Sequence, residues 1–174
     1  MNQIPKDIQV FDHLIFPDSR GNLKCIYESD KTETIEGFSC KISNSLPNVA
    51  RGIHWQNQLS PQIKVITLLK GSIKDFLINL DKNSKDFGKL FCFDLSANSQ
   101  KTILIPSHYG HGFLAKEETT FFYFCFGKYA ERNEITINLA DLVKERTTIE
   151  TKNWIISAKD HNAKKFNELF INKN

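Results

Sequence analysis

Ten short apolar runs, rich in aromatic and β-branched residues, follow one another along the first 126 residues, and no helical pattern separates them. They span 8–16, 24–27, 37–43, 51–56, 64–70, 72–79, 89–95, 101–105, 112–115 and 119–126. Turn signals stand between them: Pro17-Asp18-Ser19-Arg20-Gly21, Asn44-Ser45-Leu46-Pro47-Asn48, Leu59-Ser60-Pro61, Lys70-Gly71, Asp81-Lys82-Asn83-Ser84 and Pro106-Ser107-His108. Fourteen phenylalanines against eight glycines favour pleated, half-buried surfaces. Strands at this spacing close into a sandwich or barrel, so the expected fold is all-β, an antiparallel jelly roll. Helical patterning comes late. Ser157-Ala158-Lys159-Asp160 reads as a capping box, and Ala163, Phe166, Leu169 and Phe170 follow at helix spacing.

A chain of 174 residues, 40% hydrophobic, can bury one good core, and residues 1–174 are read as a single domain. Its 23 basic and 20 acidic residues are dispersed, without the cationic run that tracks a phosphate backbone, so nucleic acid is not an expected partner. Cys25, Cys40, Cys92 and Cys125 form no CxxC pair, and the last three lie in strand-like runs. They are expected to be buried free thiols. The N-terminal residues carry no apolar signal core and no run reaches the length of a membrane span, which points to a cytoplasmic protein with no membrane partner.

Chemistry concentrates in Arg51-Gly52-Ile53-His54-Trp55-Gln56, followed by Lys64, then Tyr123, then Asp160. A base, an acid of different chemistry, a carboxylate to orient the base and a cation are what proton transfer beside a ketone requires. Taken singly, each has an ordinary explanation: a hydrogen-bonded core histidine, a solvated strand end, a packed aromatic, a helix-capping carboxylate. Strand alternation sets Gly52, His54 and Gln56 on one face and Arg51, Ile53 and Trp55 on the other. For Arg51 and His54 to reach one pocket, a bulge near Gly52 is needed.

No His-x-His with a carboxylate is present. The pair His108 and His111 flanks Tyr109-Gly110 in what reads as a turn, suited to orienting a loop or a sugar more than to holding a metal. With no P-loop, GxGxxG or nucleophile elbow either, the chemistry is expected to come from side chains, without metal or cofactor.

The ordered series Asp18-x-Arg20-Gly21, Arg51-Gly52-Ile53-His54-Trp55-Gln56, Lys64, Lys70-Gly71, Phe87-Gly88, Leu95-Ser96-Ala97-Asn98, Ile105-Pro106, His111-Gly112-Phe113-Leu114, Tyr123, Tyr129-Ala130 and Ser157-Ala158-Lys159-Asp160 resembles the dTDP-4-dehydrorhamnose 3,5-epimerase family. These are cupin-fold epimerases of nucleotide-linked 4-keto sugars. The resemblance runs nearly the whole chain. It implies a cupin-type jelly-roll barrel with a short C-terminal helical segment, in a homodimer that exchanges an N-terminal strand. It implies His54 as base, Asp160 as its partner, Tyr123 as acid and Lys64 beside the substrate's C4 oxygen. Arg20 and Arg51 would hold a diphosphate, and Gln56, His111 and Tyr129 would complete the substrate pocket. The product would feed cell-surface sugar synthesis, as in capsular polysaccharide or lipopolysaccharide.

A C–H beside a ketone is a poor acid, so an imidazole base needs the enolate stabilised, a task for Lys64. Inversion needs a proton to leave one face and another to arrive on the opposite face, hence His54 and Tyr123. The chain departs from the family at Asn22-Leu23-Lys24-Cys25 and at Lys128-Tyr129, where an acidic residue and a Tyr-Tyr pair are usual. The base pocket is therefore expected to differ, with GDP the leading nucleotide in place of dTDP. Rival readings are a single-centre epimerase or keto-isomerase, a non-catalytic sugar-nucleotide-binding cupin, and a metal-dependent oxygenase.

Overall fold

The computed structural model describes residues 4–18, 21–25 and 37–171. In chain order these form β1 (Gln9–Asp12), β2 (Leu14–Asp18), β3 (Gly21–Cys25), β4 (Phe38–Ser45), β5 (Val49–Gln56), β6 (Ile63–Lys70), β7 (Ser72–Asn79), β8 (Leu90–Ser96), β9 (Lys101–Ile105), β10 (Tyr109–Ala115), β11 (Thr119–Phe126), β12 (Glu134–Thr136), α1 (Leu139–Arg146), β13 (Ile155–Ile156), α2 (Ala158–His161) and α3 (Phe166–Phe170). One sheet runs β1-β9-β6-β11-β4, and the other runs β12-β5-β10-β7-β8, with β13 added parallel to the start of β5. β2 and β3 pair as a separate hairpin. The jelly-roll expectation is met by these two sheets.

Two apolar clusters follow from the strand patterns. Ile66, Leu68 and Phe121 from the first sheet meet Leu77, Phe113 and Ala115 from the second. On the second sheet's other face, Ile53, Trp55, Phe76 and Ile78 pack against Leu139, Leu142 and Val143 of α1 and Phe166 of α3. With both faces covered, β7 buries its four apolar residues, Ile73, Phe76, Leu77 and Ile78, on both sides of the sheet, and a carboxylate, Asp75, lies buried among them. The β6–β7 hairpin turns on Gly71 at φ +81°, where a Cβ would fall 2.5 Å from the Glu118 carbonyl oxygen.

Several expectations need correction. α1 lies upstream of the segment in which helix was expected; its N-cap Asn138 accepts from the Asp141 N–H, and its two turns are too few for a period to show. The C-terminal helical segment is two short helices, broken between His161 and Phe166. His111 lies within strand β10, not in a turn. Of the cysteines expected to be buried in strands, Cys125 is buried, Cys92 is half-buried and Cys40 is exposed.

Candidate active site

The site begins at an irregularity in β5. Between the pairs His111↔His54 and Phe113↔Arg51, β10 advances two residues while β5 advances three, so β5 carries the extra residue of a bulge. Gly52 occupies it at φ +100°, and a Cβ there would lie 2.7 Å from the His111 carbonyl oxygen and 2.8 Å from Gly112 Cα. The bulge resets alternation, and Arg51 and His54 line one cavity with Ser157, Lys159 and Asp160. It also turns the Gly52 N–H out of the ladder, where it donates to Asp160 Oδ2 at 3.1 Å.

The other carboxylate oxygen of Asp160 lies 2.8 Å from His54 Nε2. Burial raises the Asp160 carboxyl, but the His54 hydrogen bond and charge, with Gly52 and Ser157, outweigh it and hold the group below its ordinary value. An ionised carboxylate only accepts, so Nε2 carries the proton and Nδ1 is left as the basic nitrogen. The capping box is thus half made: Ser157 Oγ accepts from the Asp160 N–H at 3.1 Å, while the carboxylate serves β5.

Beside this pair lies a cleft of about 110 Å³. His54, Gln56, Lys64, Tyr123 and Tyr129 all line it, so these five candidates converge. Lys64 sits opposite Cys125 across β6 and β11, and its Nζ donates to the His54 carbonyl oxygen at 3.0 Å. Burial pulls its ammonium below the ordinary lysine value, and Lys41 adds to this, against the opposing pull of Cys125, Glu134 and Asp75. Tyr123 is raised chiefly by burial, with Arg51 pulling the other way. Tyr129 donates to Glu134 Oε2 at 2.6 Å, a bond that pushes its phenol up to about 12. Gln56 is fixed by its Oε1, which accepts from Ser60 Oγ at 2.8 Å and the Ala130 N–H at 3.2 Å.

Arg51 is exposed, its Nε donating to Ser45 Oγ and its Nη2 to the Asn44 carbonyl, both at 3.1 Å. Neutral partners leave its charge available to an anion. His111 is buried behind the cleft, stacked on Phe121 and 2.7 Å from Asp75 Oδ1. Arg20 and the side chains of Leu23 and Cys25 lie outside the described residues. Among the described residues no group of three His, Cys, Asp or Glu side chains could hold a metal ion, and no helix is long and apolar enough to cross a membrane.

Four polar groups at the site escaped the sequence reading. Glu134, on β12 opposite Gln56, accepts from Lys159 Nζ at 2.5 Å; burial raises its carboxyl, but Lys159, Tyr129 and His54 bring it below the ordinary value. Lys159 was visible in the Ser157-Ala158-Lys159-Asp160 motif, whereas nothing around Glu134 marks it. Asp75 is fully buried in β7, and its desolvation outweighs the His111 contact and the Lys64 charge that oppose it, so its carboxyl is raised. Lys41 reaches into the cleft from β4.

Three comparisons bear on this geometry. A sequence profile described as dTDP-4-dehydrorhamnose 3,5-epimerase matches residues 3–168. A Shigella flexneri protein of that name is 30% identical over 173 residues, covering 94% of this chain and 93% of its own. Among solved structures, an epimerase of that name from Elizabethkingia anophelis NUHP1 superposes with a TM-score of 0.80 at 28% identity over 95% of both chains. The dTDP-6-deoxy-D-glucose-3,5-epimerase of Legionella pneumophila, in complex with dTDP-4-keto-L-rhamnose, has a TM-score of 0.81 at 23% identity, covering 97% of this chain and 93% of its own.

Proposed function

The chain belongs to the dTDP-4-dehydrorhamnose 3,5-epimerase family, and from that membership we propose that it inverts C3 and C5 of a nucleotide-linked 4-keto-deoxyhexose by removing and returning protons through an enolate. The observation that carries this reading is the convergence of the His54–Asp160 pair, Lys64 and Tyr123 on one cleft.

In the proposed cycle His54 Nδ1 takes the proton from the carbon beside the ketone. The electron pair moves into a C=C bond, and charge gathers on the C4 oxygen. The Lys64 ammonium stabilises that oxygen, and its depressed pKa makes it a ready hydrogen-bond donor. Asp160 stabilises the imidazolium. Tyr123 then delivers its phenolic proton to the opposite face, restoring the ketone and leaving a phenolate that solvent reprotonates. Arg51, with Arg20, holds the diphosphate, so that remote binding energy positions the ring. Gln56, Tyr129 and His111 shape the pocket.

Residues 1–174 are read as one epimerase domain, supported by a family match spanning 3–168. We read the assembly as a homodimer, supported by an aromatic outer face on the first sheet, where Phe122, Phe124 and Phe126 stand beside Phe38 and Ile42, the last two 70% and 60% exposed. A cytoplasmic role in cell-surface sugar synthesis accords with these assignments. The relatives' names favour a dTDP sugar, whereas Lys128 in place of an aromatic favours another base, with GDP the competitor.

Turnover of dTDP- and GDP-linked 4-keto-6-deoxyhexoses in deuterated water tests the reading. Deuterium should enter at C3 and C5 of an inverted product. Incorporation at one carbon would establish the single-centre alternative, and tight binding without exchange would establish the non-catalytic one.

A further inference from the structure

Lys41 lies within the site but has no part in the chemistry above. It stands on β4, the edge strand of the first sheet, directly opposite Tyr123 on β11. Its Nζ lies 5.9 Å from the Tyr123 ring centroid and 5.2 Å from that of Tyr129, bridging the two aromatic faces. Lys41 and Lys64 line the same small cleft, and their charges oppose one another. Glu134, the carboxylate lining that cleft, is already engaged by Lys159 and Tyr129, so the second cation gains most from negative charge that develops beside it during the reaction.

Such charge develops on Tyr123. When the phenol protonates the enolate carbon, the O–H bond breaks, a C–H bond forms, the enolate C=C and C–O⁻ revert to C–C and C=O, and the electron pair stays on the phenol oxygen. A phenolate ring is far richer in electrons than a phenol ring. The attraction of an ammonium over its face therefore strengthens as the proton leaves, and an interaction stronger in the transition state than in the ground state accelerates the step. The second contact, to Tyr129, steadies Lys41; the Tyr129 phenol is itself held by Glu134.

We infer that Lys41 is a positioning and electrostatic residue for the acid half of the reaction, holding its ammonium over Tyr123 to stabilise the tyrosinate formed on proton delivery. This rests on the assignment of Tyr123 as the acid. The other charged and titratable groups around Tyr123 are His54, Lys64, Cys125 and Glu134 in the cleft, and Arg51, whose charge also favours the phenolate.

The test uses Lys41→Met, which keeps the chain's reach and packing without the charge, with Lys41→Gln as a second neutral variant should the first fail to fold and Lys41→Arg as the conservative one. Tyrosine carrying ¹³C at Cζ is incorporated, and the Tyr123 resonance is identified by its loss in Tyr123→Phe. Neutral variants should titrate Tyr123 at a higher pH than wild type, and Lys41→Arg should restore most of the difference. Product inversion should fall about tenfold, the scale of a cation–π contact of roughly 1.4 kcal/mol. Hydrogen washout through His54, and the dTDP dissociation constant, should stay within about twofold.

An unmoved Tyr123 titration would overturn the inference whether or not any sugar is turned over. So would a tenfold loss of dTDP affinity with product and washout in their wild-type ratio, since Lys41 would then be gripping phosphate. If wild-type protein neither exchanges nor inverts any 4-keto sugar, the epimerase reading fails, and the titration still decides the electrostatic contact.

Discussion

Replacing Asp160 with asparagine separates a catalytic carboxylate from a helix cap. The substitution keeps the side chain's size and the Asp160 N–H bond to Ser157, but it removes a charge 2.8 Å from His54 Nε2. With about 4 Å between charge centres and an effective dielectric of about 20, carboxylate and imidazolium attract by about 4 kcal/mol. The His54 side chain is 36% exposed, and solvent screening reduces this to roughly 2 kcal/mol, or about 30-fold in rate. The tautomer adds to that loss. If the amide oxygen faces His54, the amide NH2 abuts the Gly52 N–H; if reversed, it donates to Nε2 and forces the proton onto Nδ1, which removes the base. Turnover should therefore fall at least 30-fold, read by hydrogen exchange and product formation in deuterated water. Thermal unfolding should shift only modestly. A folded Asp160→Asn protein with turnover within threefold of wild type would refute the catalytic role of the carboxylate and leave it as a structural tie to β5.

His54→Asn should abolish exchange at the sugar carbons while nucleotide affinity, measured by titration calorimetry, stays within about tenfold. Tyr123→Phe should let washout continue while inverted product falls, and unchanged rates for both would send the search to another acid. Gly52→Ala should destabilise the protein by about 3 kcal/mol, because it sets a Cβ into the β10 backbone at positive φ, and a denaturant midpoint like wild type's would contradict the bulge. The depressed Asp160 carboxyl contributes stability that is complete above its unfolded pKa of about 3.9 and lost as pH falls through its lower folded value, so Asp160→Asn should flatten the acid limb of a stability–pH curve.

Much of the fold was legible from the sequence because it rests on local patterns. Alternation and turn signals outlined ten strand segments, among them the stretches that became β6, β7, β9 and β11, since period two and turn chemistry are properties of neighbouring residues. Short elements were not legible: β12, β13 and the two turns of α1 carry too few residues to show a period, and they form because β5 and the second core offer them a partner. Motif order was enough to nominate His54, Lys64, Tyr123 and Asp160, and strand alternation was enough to require a bulge at Gly52. What only the tertiary structure decided is which side chains meet. Asp160 reaches His54 across 106 positions, Asp75 reaches His111 across 36, and Lys41 meets Tyr123 through strand register. Such distant pairings depend on how the sheets close, and no local signal distinguishes a carboxylate that will cap a helix from one that will orient a base.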